Sequence, residues 1–300
     1  MTIYFHIDIL SFACRLEGTH SSCLSRQIRA LSYRLINGSE LYLVSSTIST
    51  IFGSLLWGFV ASIPLVAGAV LASFVNLKKS IIASTMAFGA GVLVAALTFS
   101  LIEEAYNLVN DLVPVVLGFT LGGLSYSIAN HILNRKRGTK NRKRSHGENA
   151  GGGKDASGIA LMVGSLMDNI PENMALGISL VAGGTVNIVL IAAIFISNFP
   201  EGLASSQGMK KNGKSTKQIL LLWAIVVAIG TVSSAIGFSV LANANKDVVS
   251  IALSYASGAI LVMIAESMIP EAFEEGGSKI GLATMAGFAV AFVLGRVGGG

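Results

Sequence analysis

The sequence predicts an all-α polytopic membrane protein. Two observations carry that prediction. Its 300 residues are 52% hydrophobic and only 12% charged, with a mean hydropathy of +0.69, which excludes an ordinary soluble domain. Apolar stretches also recur at lengths near the 20 or so helical residues needed to cross about 30 Å of hydrocarbon.

Eight such stretches are predicted as transmembrane helices, near 49–75, 80–102, 112–133, 158–182, 186–208, 218–242, 248–270 and 279–297. The first is followed by Lys78 and Lys79, and the second ends at Glu103 and Glu104. The third starts after Asp111 and ends at the strongest charge run of the chain, Arg135, Lys136, Arg137, Lys140, Arg142, Lys143 and Arg144. No charge separates the fourth from the fifth around Gly183 to Asn187. Lys210, Lys211, Lys214 and Lys217 precede the sixth, and Lys246 beside Asp247 opens the seventh. The eighth lies beyond the acidic segment that holds Glu271, Glu274 and Glu275. Lys and Arg collect in alternate connectors, and short cytoplasmic loops carry that excess, so both chain ends are expected outside the cell membrane.

Residues 48–300 form the predicted transmembrane domain, and 134–157 its basic, glycine-rich cytoplasmic loop. Residues 1–47 are read as an N-terminal tail without an assigned role. They carry Arg15, Arg26, Arg29 and Arg34 without a convincing cleavable signal, and both cysteines, Cys14 and Cys23, lie there. The membrane domain therefore uses neither disulfides nor thiolate ligands. Gly153-Lys154 in the loop is not a phosphate loop, because Glu148 stands where the first glycine is required and no strand precedes it.

The chemistry concentrates in a polar phrase that occurs twice inside apolar helices. Asp168-Asn169-Ile170-Pro171-Glu172 lies on the fourth predicted helix, and Ser197-Asn198-Phe199-Pro200-Glu201 follows 29 residues later on the fifth. Ionisable side chains at membrane depth are costly, and they normally face a bundle interior or line an ion path. Residues four apart share a helix face, so Asp168 stacks over Glu172 and Ser197 over Glu201. Pro171 and Pro200 have no N–H, which releases the carbonyls of Met167 and Ile196. Hydrogen-bonded helix glue would explain one copy. Two copies, each pairing a carboxylate with an amide, predict one shared cation site.

A weaker repeat relates Phe88-Gly89-Ala90-Gly91 and Glu104-Ala105 to Tyr255-Ala256-Ser257-Gly258 and Glu271-Ala272 at an offset of 167 residues. If helices one to three echo six to eight around a central pair, the odd number per half inverts one copy in the membrane. The predicted arrangement is thus 3+2+3 with inverted repeats, a transporter signature and not an enzymatic one.

With these motifs in place, the chain from about 49 to its end resembles the ZIP family of divalent metal transporters, whose hallmark is an Asn-x-Pro-Glu-Gly phrase partnered by a similar phrase on the preceding helix. The resemblance implies a metal site made by Asp168, Asn169, Glu172, Ser197, Asn198 and Glu201. Glu172 and Glu201 would be central carboxylates able to bridge two ions. It also departs from the family: Asp168 replaces the common histidine, Ser197 the common His or Gln, and Asn173 the usual glycine. Some members add a carboxylate on helix six, where this chain offers only Thr231, Ser233 and Ser234. Glu266 on helix seven is the expected additional ligand. The resemblance further implies that helices one, four, five and six move against two, three, seven and eight.

The expected function is secondary transport of a divalent metal ion toward the cytoplasm, with zinc first on resemblance and iron or manganese next. Oxygen donors without imidazole or thiolate make a harder site than usual for zinc. Entry is expected past Glu103, Glu104 or Asp111, and release past Glu266, Glu271, Glu274 and Glu275. The expected partners are metal ions, membrane lipid and a second copy of the chain, with no nucleic acid and no resident cofactor. A membrane metal sensor that binds without transporting is the alternative, and an intramembrane hydrolase is disfavoured because no His-Glu-x-x-His or similar signature is present.

Overall fold

The computed structural model describes residues 50–137, 154–183 and 187–298, and no strand occurs among them. The predicted tail 1–47 and most of the basic loop lie outside the described residues. The chain is an all-α membrane protein. Helix α1 covers Thr50–Phe74. α2 (Lys79–Ala96) passes through a π-helical segment, Leu97–Ile102, into α3 (Glu103–Val109). α4 spans Leu112–Arg137, α5 Lys154–Gly183, α6 Ile188–Lys211 and α7 Thr216–Leu241. α8 (Lys246–Met263) passes through a second π-helical segment, Ile264–Met268, into α9 (Ile269–Gly276), and α10 covers Ile280–Gly298.

Six helical stretches among the described residues are long and apolar enough to cross a membrane: Thr50–Phe74, Lys79–Val109, Leu112–Ile132, Ile188–Lys211, Thr216–Leu241 and Lys246–Arg296. α5 falls short of that standard because Asp168, Asn169, Glu172 and Asn173 interrupt its apolar run. The last stretch has 51 residues, which at 1.5 Å per residue gives about 76 Å, more than twice the hydrocarbon thickness. Gly277, with φ +62°, breaks it between α9 and α10, a conformation that glycine adopts without steric cost.

The remaining helix ends are set by local chemistry. Asn187 accepts from the Leu190 amide at the start of α6, and Asn245 does the same for Val248 at the start of α8. Ser215 and Gln218 form a reciprocal capping box on α7. Asn110 ends α3 in the left-handed conformation, φ 52°, which asparagine tolerates better than most residues. Two ends of helices are tied across the bundle, where Lys210 Nζ donates to the Ser73 carbonyl at the end of α1.

Helices pack in parallel pairs at glycines that leave no room for a side chain. Gly118 meets Ile251, Gly122 meets Tyr255 and Gly123 meets Val262, so the contact advances in the same sense along α4 and α8. Gly91 against Thr284, followed by Phe99 against Phe288 and Phe292, does the same for α2 with its π-helical extension and α10. Gly202 against Leu65 and Gly68 against Phe199 and Leu203 pair α1 with α6. Gly177 against Ser234 and Gly237 against Met174 pair α5 with α7. Close backbone approach of this kind is how helices associate in lipid, which offers no hydrophobic drive between them.

Candidate metal site

α5 and α6 both run through their prolines, Pro171 and Pro200, as continuous helices. Each therefore carries its polar phrase into the bundle interior. Asp168, Asn169, Glu172, Ser197, Asn198 and Glu201 are all buried, none more than 3% exposed. Asn173 is fully buried as well.

The two amides meet the first helix at consecutive residues. Asn198 Nδ2 donates to the Ala61 carbonyl at 2.8 Å. Ser62 Oγ donates to Asn169 Oδ1 at 3.2 Å, and Asn173 Nδ2 reaches the same oxygen at 2.6 Å and Ser62 Oγ at 3.0 Å. On its other side Asn169 Nδ2 donates to the Val226 carbonyl of α7 at 3.1 Å. A carbonyl can only accept, which fixes which way the Asn169 amide points. Gly230 lies beside Asn169 and Ser62, where a Cβ would have no space. Four helices, α1, α5, α6 and α7, thus enclose one polar layer.

The donor inventory of this layer is hard and neutral-rich. Among the described residues no three His, Cys, Asp or Glu side chains stand close enough together to cage a metal by themselves, so amide and hydroxyl oxygens must complete any cation shell. Asn198 Oδ1 is buried with no hydrogen-bond partner, as is Asn173 Oδ1. A buried carbonyl oxygen without a donor carries a desolvation penalty, and a cation is a ligand that removes it. Asn169 Oδ1 differs, since both of its lone pairs are engaged by Asn173 and Ser62. Ser197 Oγ donates to the Ile194 carbonyl at 3.0 Å and keeps its own oxygen available as an acceptor.

Asp168 and Glu266 occupy a different setting. Tyr126 on α4 donates its hydroxyl to Asp168 Oδ1 at 2.7 Å. Glu266, in the second π-helical segment, is exposed and accepts from Ser127 Oγ at 2.7 Å and from Asn130 Nδ2. Glu266 is held against α4, and its contacts do not join it to Glu172 or Glu201. Sequence reasoning missed Ala61, Ser62, Tyr126 and Val226. Two of these act through backbone carbonyls, which no residue type reveals, while a buried serine and tyrosine look like ordinary helix packing.

Four of the expected path carboxylates line cavities at opposite ends of the bundle, and Asp111, Glu266 and Glu274 border neither. Glu103 and Glu104, with Asn187 and Lys246, border a cavity of about 390 Å³ where α3, the end of α5 and the starts of α6 and α8 meet at one end. Glu271 and Glu275, with Lys79, Gln207 and Lys211, border one of about 20 Å³ at the other. There Lys79 Nζ pairs with Glu275 Oε1 at 3.1 Å.

No family model matches the sequence. Over 126 residues, 41% of this chain, it is 27% identical to an Arabidopsis thaliana protein described as a "Putative zinc transporter". The match covers 20% of that relative, so the chain is similar to about a fifth of its length.

Proposed function

We propose that this protein is a secondary transporter that moves divalent metal ions, zinc foremost and iron or manganese besides, toward the cytoplasm. The observation that carries the reading is the burial of both copies of the polar phrase with their amides anchored on Ala61 and Ser62. Glu172, Glu201, Asn198 and Asp168 would supply the ion's oxygens, with Ser197 completing the shell. Asn169 is taken as a strut and Glu266 as a carboxylate on the release route. An oxygen-only donor set accommodates manganese and iron beside zinc. The similarity to a relative described as a zinc transporter points the same way and away from an enzyme.

An eight-pass, 3+2+3 arrangement fits the packing. The break at Gly277 divides the last stretch into two passes, and the parallel pairing of α2 with α10 requires an even number of turns between them. The π-helical segments begin at Leu97 and Ile264, the 167-residue offset of the sequence repeat. Phe88 facing Gly287 and Tyr255 facing Gly122 are repeat-related contacts. Exchanging the halves turns the α2–α10 pair into α8–α4 and the α1–α6 pair into α7–α5. Such inverted symmetry around a midplane site supports alternating access. Glu104 and Glu271, repeat-related, border cavities at opposite ends, as the carboxylates of an entrance and an exit would.

Purified protein in sealed vesicles tests this directly. Uptake of Zn²⁺, Fe²⁺ and Mn²⁺ is expected to rise with time and saturate with concentration. Equilibrium binding without accumulation would identify a sensor and overturn transport.

A further inference from the structure

We infer that Tyr126 is a positioning residue for Asp168, holding that carboxylate in the orientation from which it contributes to the metal shell. The inference rests on the metal-transport reading and adds a residue outside both polar phrases. Tyr126 is 5% exposed and Asp168 1%. A phenol and a carboxylate brought together at that depth, 2.7 Å apart, make a charge-assisted bond of the stronger class. Carboxylates that ligate metals are typically oriented by such outer partners. A carboxylate has two oxygens and about four lone pairs, so a donor on one oxygen fixes the group without exhausting it.

The placement of Tyr126 adds to the argument. It lies on α4, which pairs with α8, whereas Asp168 lies on α5, which pairs with α7. Their bond therefore joins two different helix pairs. One turn further along the same face of α4, Asn130 donates to Glu266. One strip of α4 thus grips both outlying carboxylates. The ring has a separate task, since it borders an apolar cavity of about 960 Å³ with Met167, Ile170 and Pro171. Removing the hydroxyl alone separates the two roles.

The experiment measures Mn²⁺ and Zn²⁺ uptake by wild type, Tyr126→Phe, Asp168→Ala and the double variant in vesicles. Tyr126→Phe keeps the ring, so its expected effect is a KM increase of roughly tenfold, the usual loss when an outer-shell partner is removed, with Vmax within about twofold of wild type. In the Asp168→Ala background the same change is expected to add nothing, because residues acting through one contact are non-additive. Where Asp168→Ala does not saturate in uptake, equilibrium Mn²⁺ binding to the solubilised protein reads the same cycle. Introducing 3-fluorotyrosine at 126, which retains ring and donor, is expected to keep the wild-type KM; should Tyr126→Phe not insert, 4-fluorophenylalanine at 126, which fills the same space but cannot donate, is expected to give the tenfold rise, and a wild-type KM there would overturn the inference. A wild-type KM in Tyr126→Phe, or an equal shift with and without Asp168, would overturn the inference. Two controls separate the failures: wild-type protein that shows no time-dependent uptake sinks the transport reading, wild-type uptake by Glu172→Ala sinks the site assignment, and lost uptake in Glu172→Ala with an unshifted Tyr126→Phe sinks only the role of Tyr126.

Discussion

At the scale of single residues, the two asparagines of the repeated phrase are chemically alike and structurally different. Asn198 spends its NH₂ on Ala61 and leaves its oxygen buried and unmatched. Asn169 spends its NH₂ on Val226 and its oxygen on Ser62 and Asn173. The phrase itself could not separate them, because the difference arises from neighbours on α1 and α7. Asn198→Ala is therefore expected to raise the KM for metal uptake by roughly tenfold or more, since losing a ligand costs at least as much as losing an outer-shell partner. Asn169→Ala is expected to leave KM closer to wild type and to lower thermal stability instead. Uptake kinetics and unfolding in detergent of the two variants check this, and equal KM shifts would contradict it. Asp168, Glu172 and Glu201 were legible in the sequence as residues too expensive to bury without purpose. Tyr126 and Ser62 were not, because amphipathic and small polar residues are common in membrane helices that do nothing but pack.

At the scale of elements, hydrophobic length located the helices to within a few residues, and local chemistry moved the ends. α2 was expected to stop near 102, but it continues through a π-helical segment into α3 as far as Val109. Glu103 and Glu104 do not end it because they sit beside an open cavity and not in lipid. Gly118 and Gly122 stand one turn apart, and their packing against Ile251, Ser254 and Tyr255 gives that spacing its meaning. The glycine after Glu201 has the same kind of cause. A Cβ at Gly202 would run into the backbone of Leu65, and backbone cannot rotate away. Gly202→Leu is expected to lower stability by roughly 1–3 kcal/mol or more, the usual cost of overpacking, read as an earlier thermal unfolding transition in detergent. An unchanged transition would mean that α1 and α6 do not meet so closely.

At the scale of the whole molecule, the fold class followed from composition, since a chain this apolar has no soluble solution. The proposed inverted repeat shows in the sequence only as a handful of residues at an offset of 167. Two π-helical segments begin at that same offset, at Leu97 and Ile264. The N-terminal tail and most of the basic loop lie outside the described residues. What the bundle accomplishes is the burial of two proline-bearing helices' polar phrases in its interior.

The proposal that Glu172 and Glu201 share one cation site is tested most directly by metal uptake into vesicles of known protein orientation. Glu172→Ala and Glu201→Ala, each shown to be inserted and folded, are predicted to abolish saturable Zn²⁺ and Mn²⁺ uptake separately, because neither half of the shell suffices. Wild-type uptake by either variant would contradict the account.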